Sequence, residues 1–548
     1  MIFKFIGQYF IVIFLIALNY KYFDNAFIKF QDHKFKRIVN QRLDDGSDIN
    51  KKYNGSTDLS YAAQENFIET AILLINRGAD VNAKSDDDST ALISSAYKGH
   101  IKICQLLLNN GAHLNYKNNF GSNPLMFASS NGHIDIVKLF LDRGADINAK
   151  NNYGKTSLMI ASYSGHIDIV NLLLDRGADI NAQENGGGTA LVNPTINGHI
   201  EIVKLLLNRG INVNAKSNNG GNALMNAAYS GHIGIVKLLI EHRADINAKS
   251  NNGGNALMNA AYSGHVGIVK LLIEHRADVN NKNNNGVNAL MGAAGVGHTE
   301  TIKLLIDKGA DIHAKDDDGM TALILAAYTG HKETTKLLLE RGADIHATNN
   351  YGSTALMEAA KNGHFKIINL LLERGADINA TDNYGSTALM AAAKNGRTKI
   401  INLLLVWGAD LPDDKSNIIS TMENASWWTK LHTAVINNDT DKKQNIEYKE
   451  SHTTPLDLAI MIGNLDAVRN LIDRDIKYDI NACIKLAIFS KRYEVAKFLE
   501  NIANPSAQDT HDLDNNIQQT FKSSLFHNRK PNTLSSETAQ NQTNIQVP

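Results

Sequence analysis

Residues 217–249 read SNNGGNALMNAAYSGHIGIVKLLIEHRADINAK, and residues 250–282 read SNNGGNALMNAAYSGHVGIVKLLIEHRADVNNK. Val266 stands for Ile233, Val279 for Ile246 and Asn281 for Ala248; the rest is identical. Self-similarity at a fixed period governs architecture before any local pattern does. Within the unit, Asn222 is placed to cap a short helix from Ala223 to Ser230, its side chain accepting from an exposed backbone N–H. Leu224, Ala227 and Ala228 share one apolar face at spacings of three and four. Gly231 breaks that helix and His232 opens a second, striped by Ile235, Val236, Leu238, Leu239 and Ile240. The Ala-Asp-Ile-Asn text and the Asn-Gly-rich stretch after it predict an extended loop with a tight turn. Two short helices and a turn cannot bury their own apolar faces, so such units must stack. A stack of near-identical units holds something rather than converting it.

The period runs outward from the twin units without an insertion. The leucine of each first helix falls at Leu59, Leu92, Leu125, Leu158, Leu191, Leu224, Leu257, Leu290, Leu323, Leu356 and Leu389. Gly-His pairs keep the same step from Gly99-His100 to Gly363-His364, ending as Gly396-Arg397. Gly-Ala-Asp-Ile-Asn recurs at Gly144–Asn148 and Gly375–Asn379. On these motifs the chain resembles ankyrin repeats, strongly from Gly46 to Asp410 and weakly to Asn501. The resemblance implies an all-α solenoid: helix-turn-helix plus a β-hairpin-like loop per unit, with a protein-binding concave face made by the turn tips and the outward side of the first helices. One departure is systematic. The family's T-P-L-H becomes Thr354-Ala355-Leu356-Met357 or Asn222-Ala223-Leu224-Met225, so a polar staple across the turn gives way to apolar packing.

Three irregularities carry predictions. Arg243 and Arg276 occupy the helix-ending place of Gly144 and Gly177, where a left-handed backbone costs a side chain about 1 kcal/mol. Pro194 falls in a first helix, where it costs ~3 kcal/mol if interior, and predicts a local kink. Beyond Asp410 the register fails; Trp427 and Trp428 precede worn units at Leu431–Val435, Thr454–Ala459 and Ala482–Ala487. Terminal units are atypical because one face meets solvent. The reading is residues 21–45 as connector and partial capping unit, since residues 38–50 resemble the second half of a unit, residues 46–412 as regular repeats, 413–502 as degenerate ones and 503–548 as a disordered polar tail.

Residues 1–20 form a hydrophobic signal or anchor segment, with an apolar run from Tyr9 to Leu18. The run is short for a span, which needs roughly 17–25 residues, and no small-x-small cleavage site follows. Lys21, Lys29, Lys34, Lys36 and Arg37 outnumber the single Lys4 before it, which predicts attachment through Ile2–Leu18 with the repeats on the cytoplasmic side. A buried capping helix, or a secreted or soluble intracellular chain, are the alternatives.

The 548-residue chain is 43% hydrophobic and 20% charged, with a net charge of −1. No basic footprint for nucleic acid exists. Cys104 and Cys483 lie too far apart in sequence to imply a disulfide framework, and a reducing compartment fits them. Equivalent histidines on packed units stand about 8–10 Å apart and cannot share one zinc ion. Gly154-Lys155-Thr156 lacks the upstream glycine of a phosphate loop, with Ala149 in its place. Asp316-Asp317-Asp318-Gly319 lacks calcium-loop spacing. No catalytic, cofactor or metal residue is assigned, and an enzyme is not expected. Surface remains. The tips offer Phe120, Tyr153, Tyr351 and Tyr384, with acidic tips at Asp86–Asp88 and Asp316–Asp318. Three residues before the Gly-His histidine stand Tyr97, Tyr163, Tyr229, Tyr262 and Tyr328. Tyrosine joins apolar area to a polar tip and suits interfaces, or else packs between neighbouring first helices. The expectation is a monomeric scaffold for partner proteins, as a host-directed effector or membrane-tethered adaptor. Its rival is an adaptor or enzyme whose activity lies in residues 416–548.

Overall fold

A computed structural model describes residues 26–423, 454–472 and 479–503. The expected anchor at residues 1–20, the Trp427–Trp428 stretch, Leu431–Val435 and the tail beyond Ala503 lie outside them. Among the described residues no helix is long and apolar enough to cross a membrane. Residues through Ala293 with Glu300–Ala310 form one compact body, and Ala294–Thr299 with the residues from Asp311 form another.

Eleven helix pairs follow the eleven leucines, from Asp58–Gln64 with Ile68–Asn76 to Ala388–Lys394 with Thr398–Val406. In the opening twin unit the first helix spans Ala223–Ser230 and the second Ile233–Glu241. Asn222 Oδ1 accepts from Met225 N at 2.9 Å, and Gly231 ends the helix at φ 84°. Leu224, Ala227, Ala228, Val236 and Leu239 are buried. Small alanines let successive first helices approach closely, so the core is a row of Leu-Ala-Ala layers. Met126, Met159, Met225, Met291 and Met357 are buried beside them, filling the place of the polar staple. The loops between units are turns more than ribbons. Among the described residues only Lys52–Tyr53 and Ser56–Thr57 pair as strands, antiparallel, with single bridges at Lys84–Thr90 and Thr348–Thr354.

Seven of the Gly-His histidines bond between units. Nε2 of His100, His133, His232 and His265 donates to the carbonyls of Gln64, Tyr97, Ile196 and Tyr229, 36 residues upstream, at 2.9–3.0 Å. In the second body His364 bonds Tyr328 O in the same way, and Arg397 substitutes with its Nε on Lys361 O. The rings lie over the preceding glycines: a Cβ on Gly231 would stand 2.6 Å from His265.

The expected kink at Pro194 is absent. That first helix is simply short, Val192–Asn197, and begins after Leu191 with no side-chain cap. Pro194 becomes its third residue, whose missing N–H has no acceptor within the helix in any case. Arg243 and Arg276 do adopt the left-handed conformation, at φ 64° and 68°.

Both ends are specialised. Helix 26–44 presents buried Asp32, whose carboxylate accepts from Glu69 N, Thr70 N and Thr70 Oγ1. This caps the start of Ile68–Asn76. Arg42 Nη2 donates to both carboxylate oxygens of Asp58, and its guanidinium lies over Tyr53, while burial pushes the Asp58 carboxyl up against that pull. In the second body the worn repeats fold as Pro455–Ile462 with Leu465–Ile472 and Ile480–Phe489 with Tyr493–Ala503. Pro455–Ile462 packs on Thr398–Val406, a second helix, where regular first helices pack on first helices. Arg492 locks this seat. It donates to Met461 O, Gly408 O, Ala409 O and Asp410 Oδ1 at 2.9–3.2 Å. Ser490 Oγ reaches Val406 O, and Phe489 lies 5.0 Å from Trp407.

Candidate protein-binding surface

The nine aromatic residues singled out in the sequence are all exposed, from 44% at Tyr328 to 79% at Tyr384. They fall into two kinds of position. Tyr97, Tyr163, Tyr229 and Tyr262 in the first body and Tyr328 in the second stand two residues before the glycine of each Gly-His pair. Their main chains are fixed: the carbonyls of Tyr97, Tyr163, Tyr229 and Tyr328 accept from His133, His199, His265 and His364 of the next unit. Their rings are about half exposed. Tyr97 meets Phe127 edge-on at 6.1 Å, and no other member of the row has a ring–ring contact among the described residues. Lys98 and Lys155 lie 5.6 and 5.9 Å from the rings of Tyr97 and Tyr163.

Ile196 belongs to the same row, an aliphatic side chain at a position where tyrosine is the recurrent sequence signal. It is exposed and completes one apolar side chain per unit through Tyr163, Ile196, Tyr229 and Tyr262.

The tips are rigid for a separate reason. Asn152 and Asn185 N–H groups donate to Phe120 O and Tyr153 O, and their amides donate to Asn119 O and Asn152 O. Asn218, Asn251 and Asn284 continue this ladder amide by amide, each donating to the main chain one unit earlier. In the second body Asn350 bonds Asp317 O and Asp318 O, and Asn383 bonds Asn350 O and Tyr351 O. Glycine is required beneath: a Cβ on Gly121 would stand 2.3 Å from Asn152 Oδ1. Tyr153, Tyr351 and Tyr384 N–H groups are each held by the carboxamide or carboxylate two residues before them. Aromatic side chains therefore project from a backbone pinned on both sides.

The acidic tips are internally engaged. Asp88 accepts from the Tyr116 hydroxyl and pairs with Lys84, and the hydroxyl holds its carboxyl below the usual range. Asp86 pairs with Lys52 at 3.1 Å. Asp316 accepts from Asp318 N and Met320 N, while burial raises its carboxyl. Cys104 is no nucleophile, its thiol pushed up to about 12 by burial. The arrangement can present ordered side chains to a partner and has no assembled acid, base or nucleophile among the described residues.

Seven overlapping stretches, residues 28–118, 113–184, 181–250, 248–316, 309–382, 347–415 and 381–482, match the family described as ankyrin repeats (3 copies). A protein of Saccharomyces cerevisiae named as a 26S proteasome regulatory subunit is 38% identical over 68 residues, 11% of this chain and 30% of that protein. An ankyrin repeat protein of Acanthamoeba polyphaga mimivirus is 30% identical over 70 residues, 12% of this chain and 67% of that protein. The chain thus spans less than a third of the yeast relative.

Proposed function

Because the chain belongs to the ankyrin-repeat family, matched across residues 28–482, we propose that it is a scaffold binding partner proteins through its first-helix and turn-tip face. The observation that carries this reading is the exposed aromatic row on a pinned backbone. A backbone already ordered loses little freedom on binding, and aromatic anchors dominate interface energetics. The yeast relative's proteasome role does not transfer, since the match covers under a third of that protein. The test is a pulldown with the intact chain beside one carrying Tyr153→Ala, Tyr229→Ala, Tyr262→Ala and Tyr351→Ala. Partner recovery is expected to fall at least tenfold, about 1.4 kcal/mol, which one lost anchor supplies. Equal recovery by both chains would sink the reading.

A membrane-tethered adaptor is the finer form of this proposal. It rests on the apolar run from Tyr9 to Leu18 and the lysines and arginine that follow it. Fractionation with and without residues 1–20 decides it: a full-length chain wholly in the soluble fraction removes the tether.

A further inference from the structure

Helix 26–44 has two unlike sides. The inner one is consumed by the fold: Asp32 and Val39 are buried, and Phe35 packs 5.0 Å from Tyr61 and 5.7 Å from Phe67. The outer one, stepping by three and four, carries Phe27, Phe30, Lys34, Arg37, Ile38 and Gln41, all exposed. Phe27 is 62% and Phe30 67% exposed, more than any other apolar side chain outside the tyrosines among the described residues. Lys34 and Arg37 form no ion pair among the described residues, while Lys36 and Arg42, off this face, pair with Glu69 and Asp58. No acid interrupts it. Asp32 points inward, and the helix's other carboxylate, Asp44 at its last residue, pairs with Arg77.

We infer that this outer face rests on an anionic lipid surface, with Phe27 and Phe30 in the headgroup–acyl boundary and Lys34 and Arg37 against lipid phosphates. Phenylalanine with lysine and arginine on one exposed stripe is the composition of interfacial helices. Each cation near an anionic leaflet contributes about 1 kcal/mol, and its stem can lie along apolar surface while the charge stays wet. A protein partner would be expected to offer a pocket for the two rings and an acid for the cations. The protruding, acid-free stripe instead suits a flat, uniformly anionic surface. The inference rests on the membrane-tethered form of the proposed function, and the chain's connectivity permits both at once: Leu18 and Phe27 are separated by a segment that cannot exceed roughly 32 Å when extended.

The full-length chain with Phe30→Trp is mixed with vesicles of phosphatidylcholine and phosphatidylserine whose acyl chains carry bromine, a short-range quencher of indole emission. Emission at the new indole, after subtraction of the unsubstituted chain, is expected to fall by about half. Lys34→Glu with Arg37→Glu in the same chain is expected to abolish that fall. A chain that sediments with vesicles yet shows no added quenching overturns this inference and leaves the tether standing, with protein or residues 1–25 covering the face. A chain that neither sediments nor is quenched overturns both. Quenching that survives charge reversal overturns the phosphate contacts.

Discussion

Arg243 and Arg276 show how much a single side chain can be made to tolerate. Their equivalents Gly144 and Gly177 sit at φ 85° and 86°, and the two arginines are drawn into the same region at 64° and 68°. The neighbouring bonds persist but lengthen: Asn214 and Asn247 amides reach Arg243 O and Arg276 O at 3.4 and 3.2 Å, against 3.1 Å from Asn82 to Gly111 O. The left-handed conformation costs a side chain roughly 1–2 kcal/mol, part of which glycine returns as unfolded-state entropy. Arg243→Gly and Arg276→Gly should each stabilise the chain by about 0.5–1 kcal/mol, read as a higher urea midpoint at unchanged slope. A midpoint that falls would show that the guanidinium supplies a contact worth more than the strain. The strained position was legible in the sequence because the glycine recurs every 33 residues. The histidine's partner was not: its acceptor is a main-chain carbonyl 36 residues away, and carbonyls leave no mark in side-chain text.

At the level of the helix, cap and period agree nearly everywhere. Thr90, Thr156, Thr321, Thr354 and Thr387 each cap a first helix as Asn222 does, and the predicted bounds of Ala223–Ser230 match the observed ones. Pro194 is the departure, and the remedy is a shifted start rather than a bend. Thr189, which elsewhere would cap, bonds Leu191 N at 3.4 Å instead. Restoring the cap with Pro194→Ala is worth about 1 kcal/mol, and losing the proline's restriction of the unfolded chain returns about 0.4–1. The variant should therefore change stability by less than ~1 kcal/mol while amide exchange slows at Leu191 and Val192. A gain of ~3 kcal/mol would place the proline in a true helix interior after all.

Across the whole chain, the repeated region was readable because every joint recurs, and the ends were readable only in part. Helix 26–44 overlaps the stretch that resembles the second half of a unit, yet the role of Asp32 needed the fold, since its partners lie 37 and 38 residues on. The worn carboxyl-terminal units do form helix pairs, but their seat on Thr398–Val406 depends on Arg492, a residue no period predicts. The aromatic face was found by position and missed Ile196 for want of a ring. Stack stability is a sum of units and nearest-neighbour joints. Excising residues 217–249 should thus leave a folded chain, because His265 then faces Ile196 O as His232 does now. Unchanged ellipticity per residue and a midpoint lowered by no more than one unit's share are the expected result; loss of cooperative unfolding would contradict it.

That exchangeability reaches beyond the folded state. A unit carries a histidine for the neighbour before it and a first-helix carbonyl for the neighbour after it, so each copy brings both halves of its own coupling. At the level of the gene, an in-frame gain or loss of 33 codons within the register breaks no bond that it does not also remake. The near-identity of residues 217–249 and 250–282 is what such copying leaves behind. An array built this way can lengthen its binding face by recombination, faster than substitution could redesign one.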